Sequence, residues 1–387
     1  MKLLRALTAN VVVPLALALG LFLVLEGGCR AAGRVTSGAW PATRAEERAA
    51  FSRHVRGALA RHPYLVIAGQ PGGRLDLPGI SVRMNARGYR GPDVPMPKPA
   101  GRYRIVCTGG STTFDVRAAD DAQTWPALLG ALLAAKDVDV VNAGISGWTT
   151  VESLISLALR DIDLAPDLVI VYAGINDAQP AGFSPFARDY ARGHAEILAR
   201  TVGVDPPPFS LFSRSFLIQT LGDALRGGRR RDAGHEVAWK GTAARASDVP
   251  EEAVAVFERN LRSTIALARS GGARTLLVAQ SVRLRKGREA ADREYYESWT
   301  PGLTFAGAEH ALSRYNAVSR GLADGHDVLF LDPFASRTFV DADFADPVHF
   351  SATGADRFAR ALAALLTGPD GPLAASRGER PPGTTSR

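Results

Sequence analysis

Three short apolar segments, separated by stretches with helical spacing, constrain the fold of this chain most strongly. The apolar segments are Arg104–Thr108, Val138–Val141 and Asp167–Tyr172, and the stretches between them are 122–135 and 149–160. Continuous apolar strands that alternate with helices indicate a parallel sheet covered on both faces. Because all strands of such a sheet run in one direction, their carboxyl ends share one edge, and ligands bind along that edge.

The same alternation continues toward the carboxyl terminus. Apolar segments at Thr275–Ala279 and Asp327–Leu331 predict a fourth and a fifth strand. Apolar residues at helical spacing predict helices over Glu251–Ala268, Glu309–Ala323 and Ser351–Leu366. The sequence therefore predicts a five-stranded parallel sheet in one main domain, for which 387 residues are ample.

Four short polar motifs lie at the predicted strand ends. Gly109–Thr113, Asn142–Gly144 and Gly174–Asp177 begin where three strands end, and Asp346–His349 lies between the last strand and the last helix. We expect the four motifs to meet at the same edge of the sheet. A serine nucleophile needs a base, the base needs an orienting group, and the resulting oxyanion needs preorganised N–H donors. The motifs supply one candidate for each of these needs.

Each motif also has an ordinary structural interpretation when it is taken alone. Gly109–Thr113 could be a turn with a helix cap, Asn142–Gly144 a plain strand exit, and Gly174–Asp177 a capped loop. Asp346 and His349 could form a helix-entry cap or half of a metal site. The metal site is disfavoured because no further His, Cys or carboxylate cluster has ligand spacing. The order and placement of the motifs favour catalysis, and we predict neither a metal nor a cofactor.

Taken together, the four motifs resemble those of the SGNH hydrolase superfamily, also called GDSL esterases and lipases. The Ser, Gly, Asn and His of that family correspond to Ser111, Gly144, Asn176 and His349. The resemblance covers roughly 102–366. It implies a flavodoxin-like three-layer α/β/α sandwich and an activity on esters.

Two further features resemble one branch of that family. Gly110 stands where the GDSL form has Asp, and the resulting Gly-Gly-Ser-Thr sequence is familiar in this branch. The segment Asn85–Gly91 is similar to the lead-in of membrane-anchored bacterial members. The resemblance therefore indicates the anchored bacterial branch.

Each motif residue can be given a chemical role. Ser111 is the predicted nucleophile, and its own N–H is the first predicted oxyanion donor. The N–H of Gly144 and the side-chain amide of Asn176 are the second and third donors. His349 is the predicted general base, and Asp346 is predicted to hold the histidine ring and its tautomer.

Four neighbouring residues are candidates for the substrate pocket. Gly110 and Thr112 flank the predicted nucleophile, Asp177 follows Asn176, and Gln280 ends the fourth predicted strand. For Asp177 we favour a structural role in its loop. For Gln280, a place in the pocket and a plain polar strand exit remain open.

The amino-terminal segment indicates export. Val11–Leu25 is apolar and follows Lys2 and Arg5. This layout fits an uncleaved membrane anchor, a cleaved signal peptide or a lipoprotein signal that modifies Cys29. Glu26 stands where lipoprotein signals usually have an aliphatic residue. The positive flank predicts a cytoplasmic start, with the main domain on the other side of the membrane.

Charge and cysteine content add little about partners. The formal net charge is +7, and two basic runs lie at Arg226–Arg231 and Arg283–Arg288. We favour solvated loops for these runs over a site for an anionic polymer or for lipid headgroups. No motif indicates nucleic-acid binding. Cys107 is predicted to be a buried apolar residue without a disulfide to Cys29. The oligomeric state stays open.

The predicted organisation has four parts. Residues 1–28 form the anchor or signal, and 29–100 form a stalk helix over 31–60 with an extended lead-in over 69–100. Residues 101–366 form the hydrolase domain, with an insertion over about 182–250 near the site. The tail over 367–387 is rich in Pro, Gly and Ser and is predicted to be disordered.

The sequence therefore predicts an exported serine esterase that acts through an acyl-enzyme. The substrate could be an acylated envelope glycan, a lipid or a small ester. An O-acyltransferase is the nearest alternative, because the same acyl-enzyme can be discharged onto a sugar hydroxyl. A non-catalytic envelope scaffold is the alternative from another class of protein.

Overall fold

The structure is a computed structural model of the chain, which divides into two compact units. The N-terminal unit contains Met1–Arg53 and Asp205–Glu236, and the sheet unit contains His54–Val204 and Val237–Arg387. The structure describes residues 8–191, 194–204, 214–225, 244–300, 302–335 and 338–374. The predicted insertion and tail lie partly outside these residues, and the predicted domain bounds stay a prediction.

A π-helical turn, Thr8–Val12, begins the described part of the chain and leads directly into the first of two α-helices. Helix α1 (Val13–Ser37) ends at Gly38, whose N–H donates to the carbonyl oxygen of Arg34. Gly38 has a φ of 75°, a left-handed conformation that favours glycine at the end of a helix. A second helix, α2 (Arg44–Ala58), follows. The prediction of one stalk helix over 31–60 is therefore wrong, because the helix is interrupted at Gly38.

Within the described residues, one helical segment is long and apolar enough to cross a membrane. It is Asn10–Ser37, with 28 residues and a mean hydropathy of 2.2 over its most apolar window. None of that window is buried against protein. A retained anchor and a signal sequence share this length and composition, so the anchor, the cleaved signal peptide and the lipoprotein signal all stay open at this point.

Two antiparallel hairpins precede the main sheet. Strand β1 (Leu59–His62) pairs with β2 (Val66–Gly69), and β3 (Arg74–Leu77) pairs with β4 (Ile80–Arg83). The lead-in that the sequence predicts as extended therefore contains a hairpin. Its residues Asn85–Gly91 continue from this hairpin toward the main sheet.

The main sheet has five parallel strands, as the sequence predicts. They are β5 (Tyr103–Gly109), β6 (Val138–Asn142), β7 (Leu168–Tyr172), β8 (Arg274–Val278) and β9 (Val328–Leu331). Their order is β6–β5–β7–β8–β9, with every neighbouring pair parallel. The chain moves from β5 to one side and returns to β7 on the other side. The topological switch point, where ligands bind in such sheets, therefore lies at the carboxyl end of β5.

The remaining helices comprise one helix of the N-terminal unit and those that flank the sheet. They are α3 (Ser111–Phe114), α4 (Trp125–Leu132), α5 (Thr150–Ser156), α6 (Ala178–Ala181), α7 (His194–Thr201), α8 (Phe216–Leu225), α9 (Glu251–Ser270), α10 (Glu289–Trp299), α11 (Phe305–Gly321) and α12 (Ala352–Thr367). Helix α8 belongs to the N-terminal unit. In the sheet unit, α4 and α12 pack together, and α9 packs against α5, α11 and β8. This arrangement confirms the predicted parallel sheet with helices on both faces.

Strand β7 shows why the sheet needs both helix layers. Successive side chains of a strand point to opposite faces, and here both faces are apolar. Leu168 and Ile170 belong to the core that contains Trp125, whereas Val169 and Val171 belong to the core that contains Phe257. Full burial of one such side chain stabilises the fold by roughly 1.5–3 kcal/mol.

Candidate active site

The turn after β5 presents Ser111 at the switch point. Gly109 has a φ of 150°, and a Cβ atom there would lie 2.2 Å from the carbonyl oxygen of Tyr172 on β7. Only glycine allows this approach of the two backbones. Ser111 then begins the short helix α3, with its backbone N–H at the start of that helix.

A histidine and a carboxylate stand in line with the Ser111 hydroxyl. Nε2 of His349 lies 2.8 Å from Oγ of Ser111. Nδ1 of His349 lies 2.9 Å from both carboxylate oxygens of Asp346. The N–H groups of Val348 and His349 also donate to Oδ1 of Asp346, at 3.0 and 2.9 Å. The three side chains thus have the geometry that nucleophile, base and orienting group require.

Arg117 contacts the same carboxylate from the other side. Its Nε donates to Oδ2 of Asp346 at 2.8 Å, and the Arg117 side chain is 43% exposed. Burial raises the pKa of Asp346, but the charges and hydrogen bonds of His349 and Arg117 outweigh burial and hold that pKa well below its usual range. Asp346 is therefore ionised at neutral pH. No sequence motif singles out Arg117, which lies far from Asp346 along the chain.

Asn176 places its side-chain amide directly beside the turn that carries Ser111. Its Nδ2 donates to the carbonyl oxygen of Trp148 at 2.8 Å. A Cβ atom at Gly110 would lie only 2.1 Å from this Nδ2. Because an amide carries two N–H groups, the bond to Trp148 uses one and leaves the other for a substrate oxygen.

Gly144 packs closely against helix α3, which begins at Ser111. A Cβ atom at Gly144 would lie 2.5 Å from the backbone N of Phe114 and 2.7 Å from Cβ of Thr113. The Gly144 N–H donates to Oδ1 of Asn142 at 3.2 Å. In this structure the N–H expected to contact an oxyanion therefore already has an acceptor. A substrate oxygen would have to share or replace that long bond.

The other predicted pocket residues lie beneath the site. Thr112, Asp177 and Gln280 are 3%, 0% and 1% exposed. Gln280 donates through Nε2 to Oγ1 of Thr112 at 3.0 Å and accepts from the N–H of Ile175 at 2.6 Å. It thereby connects β8 to the loops that carry Ser111 and Asn176. These contacts fit the structural alternative that the sequence left open for Gln280.

Asp177 fastens helix α5 to the loop after β7. It accepts from the N–H and the hydroxyl of Thr150 and, at 3.2 Å, from the hydroxyl of Tyr190. Burial raises the pKa of Asp177 to about 7, although the hydrogen bonds from Thr150 oppose the rise. These contacts of Asp177 therefore stabilise the loop that carries the Asn176 side-chain amide.

A buried contact between Glu152 and His194 secures the segment that holds Asn176. Thr149, which follows Trp148, caps helix α5 and donates through its N–H to Glu152 at 2.9 Å. Nε2 of His194 lies 3.1 Å from Glu152, and Nδ1 lies 3.2 Å from Oε1 of Gln179. Burial lowers the pKa of His194, but the Glu152 charge outweighs burial and raises it. Sequence reasoning missed His194, because its partner lies 42 positions earlier.

Arg90, in the lead-in, binds the carboxyl end of helix α3, which begins at Ser111. Its Nη1 donates to the carbonyl oxygens of Phe114 and Asp115, both at 2.8 Å, and its Nε donates to Asp121 at 2.8 Å. Its backbone N–H donates to the carbonyl oxygen of Asn142 at 3.2 Å. In the sequence, only the resemblance of 85–91 to the lead-in of anchored family members indicated that this segment contributes to the site.

Aromatic packing joins the serine turn to the histidine loop. Nε1 of Trp125 donates to the carbonyl oxygen of Thr112 at 2.8 Å. Its ring meets that of Phe358 edge to face at 5.1 Å, and Phe358 packs at 5.0 Å on Phe350, which directly follows His349. The same core therefore positions both partners of the hydrogen bond between serine and histidine.

The cysteine and charge predictions can be compared with the described residues. Cys107 is fully buried in β5, and both cysteines are free. In the basic run at 283–288, Arg283 pairs with Asp341 and Arg285 pairs with Asp292, so these arginines are bound within the fold. The run at 226–231 lies outside the described residues. Across the described ranges, no group of three or more His, Cys, Asp or Glu could hold a metal.

Comparison with known proteins decides the family. A sequence model of the GDSL-like lipase and acylhydrolase family matches residues 107–357. The chain belongs to this family. It is a serine hydrolase that acts on esters, and Ser111, Gly144, Asn176, Asp346 and His349 all lie inside the matched region. No curated protein matches the chain.

Solved structures give weaker similarities. The protein TesA is 18% identical, with a TM-score of 0.40, over 70% of this chain and 99% of its own. A catalytic mutant of an acetylxylan esterase from Geobacillus stearothermophilus is 18% identical, with a TM-score of 0.39, over 67% of this chain and 92% of its own. A GDSL-like lipase from Bacteroides thetaiotaomicron is 14% identical, with a TM-score of 0.35, over 67% of this chain and 85% of its own. The family assignment rests on the match to the family model.

Proposed function

We propose that this GDSL-family hydrolase is an exported, membrane-anchored esterase that cleaves carboxylic esters through an acyl-enzyme on Ser111. The observation that carries the proposal is the hydrogen-bonded line from Ser111 Oγ to His349 Nε2 at 2.8 Å and from His349 Nδ1 to Asp346 at 2.9 Å. A serine hydroxyl becomes a useful nucleophile when an oriented base can accept its proton.

In the first half of the reaction, Oγ of Ser111 attacks the carbonyl carbon of the ester, and Nε2 of His349 takes the hydroxyl proton. Asp346, ionised and held by two backbone N–H groups, stabilises the imidazolium that forms. The ester C–O bond then breaks, and the departing alcohol oxygen receives the proton from His349. The acyl group is left on Ser111.

In the second half, water attacks the acyl carbon and gives a proton to His349, which returns it to Oγ of Ser111 as the acid leaves. Each half passes through a tetrahedral oxyanion. The Ser111 N–H and the second N–H of the Asn176 amide are its proposed donors. The Gly144 N–H is a third donor when its bond to Oδ1 of Asn142 is replaced by one to the oxyanion. Loss of one such donor typically costs about 10²–10³ in kcat.

Export and anchoring are proposed from the amino-terminal segment. Asn10–Ser37 can cross a membrane, and the preceding Lys2 and Arg5 favour a cytoplasmic start. The sheet unit would then act outside the cytoplasm on an acylated glycan, a lipid or a small ester.

The test is ester turnover by the full-length chain in detergent. Aryl esters of graded acyl length should be hydrolysed by the parent and by Ser263→Ala, an exposed serine on α9, but not by Ser111→Ala. Parallel reactions with sugar acceptors separate hydrolysis from acyl transfer, because transfer yields an acylated sugar in place of the free acid. Absence of both products from folded protein would contradict the proposal and favour a scaffold.

A further inference from the structure

Glu26 is an unexpected residue in α1. It follows an apolar run of fifteen residues, Val11–Leu25, and its side chain is 14% exposed. A carboxylate in such a segment is costly unless it has partners. One partner is Arg30, whose Nε donates to Oε1 of Glu26 at 2.8 Å from one turn further along the helix.

The other partners of Glu26 come from the beginning of α8, about 190 positions later in the chain. The hydroxyl of Ser215 and the N–H groups of Phe216 and Leu217 each donate to the Glu26 carboxylate at 2.8 Å. The first N–H groups of a helix have no partner within the helix, and a negative charge at that end is stabilising. Ser215 also accepts from the N–H of Ile218 at 3.1 Å. Glu26 thus caps a helix that belongs to the same compact unit.

The contacts also show in which direction the start of α8 runs along α1. Arg30 donates to the carbonyl oxygen of Arg214 at 3.2 Å, whereas Glu26 meets the next three residues. Residues 214–217 therefore run alongside α1 from Arg30 toward Glu26, and α8 begins next to the apolar half of α1. Phe22 lies one turn earlier on the same face and is half-buried, while Leu21 and Leu23 are 62% and 59% exposed.

We infer that α1 and α8 form a docked pair in the mature protein, so that α1 is retained, and that their shared apolar surface lies in a lipid bilayer. Removal of the residues before Cys29 would delete Glu26 and leave the first N–H groups of α8 without their acceptor. The structure therefore favours the retained anchor over a cleaved signal and over a lipoprotein. This inference deepens the anchoring part of the proposed function and does not depend on ester turnover.

The exposed side chains identify the bilayer as the occupant of this surface. Between Val13 and Leu25 the large apolar side chains of α1 are mostly exposed, at 47–71%. Leu221 and Leu225 on α8 are 55% and 89% exposed. In water this surface would be unfavourable by roughly 25 cal/mol for each square ångström, whereas in lipid it is not. Helix α8 is too short to span a bilayer, so it extends the lipid-facing surface of α1.

Hydrogen exchange of the full-length chain in lipid vesicles tests the docking. In Glu26→Ala, the amides at the start of α8 should exchange about tenfold faster, as expected for loss of a charged cap. Glu26→Gln, which keeps one acceptor oxygen, should lie between Glu26→Ala and the parent. Thr36→Ala, on the same helix, removes a hydroxyl that donates to the carbonyl oxygens of Ala32 and Gly33, and it should match the parent. Exchange in Glu26→Ala equal to that of the parent would overturn the docking.

Two controls keep this experiment decisive. If Glu26→Ala does not accumulate, Ser215→Ala removes one of the three bonds to Glu26, together with the bond from the Ile218 N–H, and should raise exchange of the Phe216 and Leu217 amides about threefold. Ester turnover is measured on every variant, because the Ser111 site lies in the sheet unit. Normal turnover with faster exchange supports the inference. Absent turnover in all variants, with the same exchange pattern, would refute the proposed esterase and leave the docked pair standing.

Retention and lipid contact are measured directly. Intact mass of protein recovered from membranes should include Glu26, and a mature chain that begins at Cys29 would overturn retention. A fluorophore on Leu221→Cys, in a Cys29→Ser background, reports the surroundings of α8, because Cys107 is fully buried. Quenching by brominated acyl chains is expected. Quenching by aqueous iodide would overturn the lipid surface.

Discussion

Substitution of Gly110 by alanine should displace an oxyanion donor. Gly110 has φ −88° and ψ −149°, so its φ is negative and lies outside the left-handed region that favours glycine. The added methyl would lie 2.1 Å from Nδ2 of Asn176 and 3.0 Å from the carbonyl oxygen of Trp148. Carbon and nitrogen do not approach to 2.1 Å without a bond, so the amide must move by about 1 Å.

The closest contact of the added methyl is with the end of the Asn176 side chain, so we expect this amide to move, and the reaction depends on its position. A misplacement of about 1 Å in an active site can cost about 10²-fold in rate. Loss of one oxyanion donor costs about 10²–10³-fold, or roughly 3–4 kcal/mol of transition-state stabilisation. Gly110→Ala should therefore lower kcat by at least about a hundredfold and change KM little.

Steady-state kinetics on an acetyl aryl ester measure this effect. Gly130→Ala is the matched control, because a Cβ atom there would lie 3.5 Å from Cβ of Val140, an ordinary contact. Its kcat should equal that of the parent. Asn176→Ala should resemble Gly110→Ala, and the double variant should be no slower than the worse single variant, because both remove the same donor. Parental kcat in Gly110→Ala, or losses that multiply in the double variant, would refute the reasoning.

Two further predictions concern the carboxylates. His349→Ala should lose almost all ester turnover, whereas Asp346→Ala should do less damage because water or a backbone carbonyl can still orient the ring; equal kcat/KM for the two variants would contradict this. Burial raises the pKa of Asp177 to about 7, far above its value of about 3.9 in an unfolded chain. The folded state therefore binds this proton more tightly, and about 4 kcal/mol of stability is lost as pH rises from about 4 to 7. Thermal unfolding of Asp177→Asn should depend less on pH over this range than unfolding of the parent, and identical slopes would contradict the prediction.

The strand pattern was enough to predict the centre of the candidate site. In a parallel sheet, the ends of β5, β6 and β7 must lie on one edge, so the strand pattern alone assigns Ser111, Gly144 and Asn176 to that edge. Helix bounds were less predictable. We predicted that this helix begins at Glu309, but α11 begins at Phe305. Thr304 caps it, because its hydroxyl accepts from the N–H of Gly307 at 3.0 Å.

Contacts between residues distant in sequence could not be predicted. Arg117 reaches Asp346, and His194 reaches Glu152, only because the fold brings distant parts of the chain together. Neither pair has a spacing that a single sequence can display. Glu26 could be recognised as atypical for a lipoprotein signal, but its partner helix lies in a region that the sequence marked only as an insertion.

Covalent labelling tests the central claim, that Ser111 is a nucleophile activated by His349, most directly. Folded full-length protein is treated with a fluorophosphonate, and the adduct is located by intact mass and peptide mapping. We expect one adduct, on Ser111, which forms far more slowly in His349→Ala and is absent from Ser111→Ala. An adduct on another serine, or an unmodified Ser111 in folded protein, would contradict the assignment of Ser111 as nucleophile.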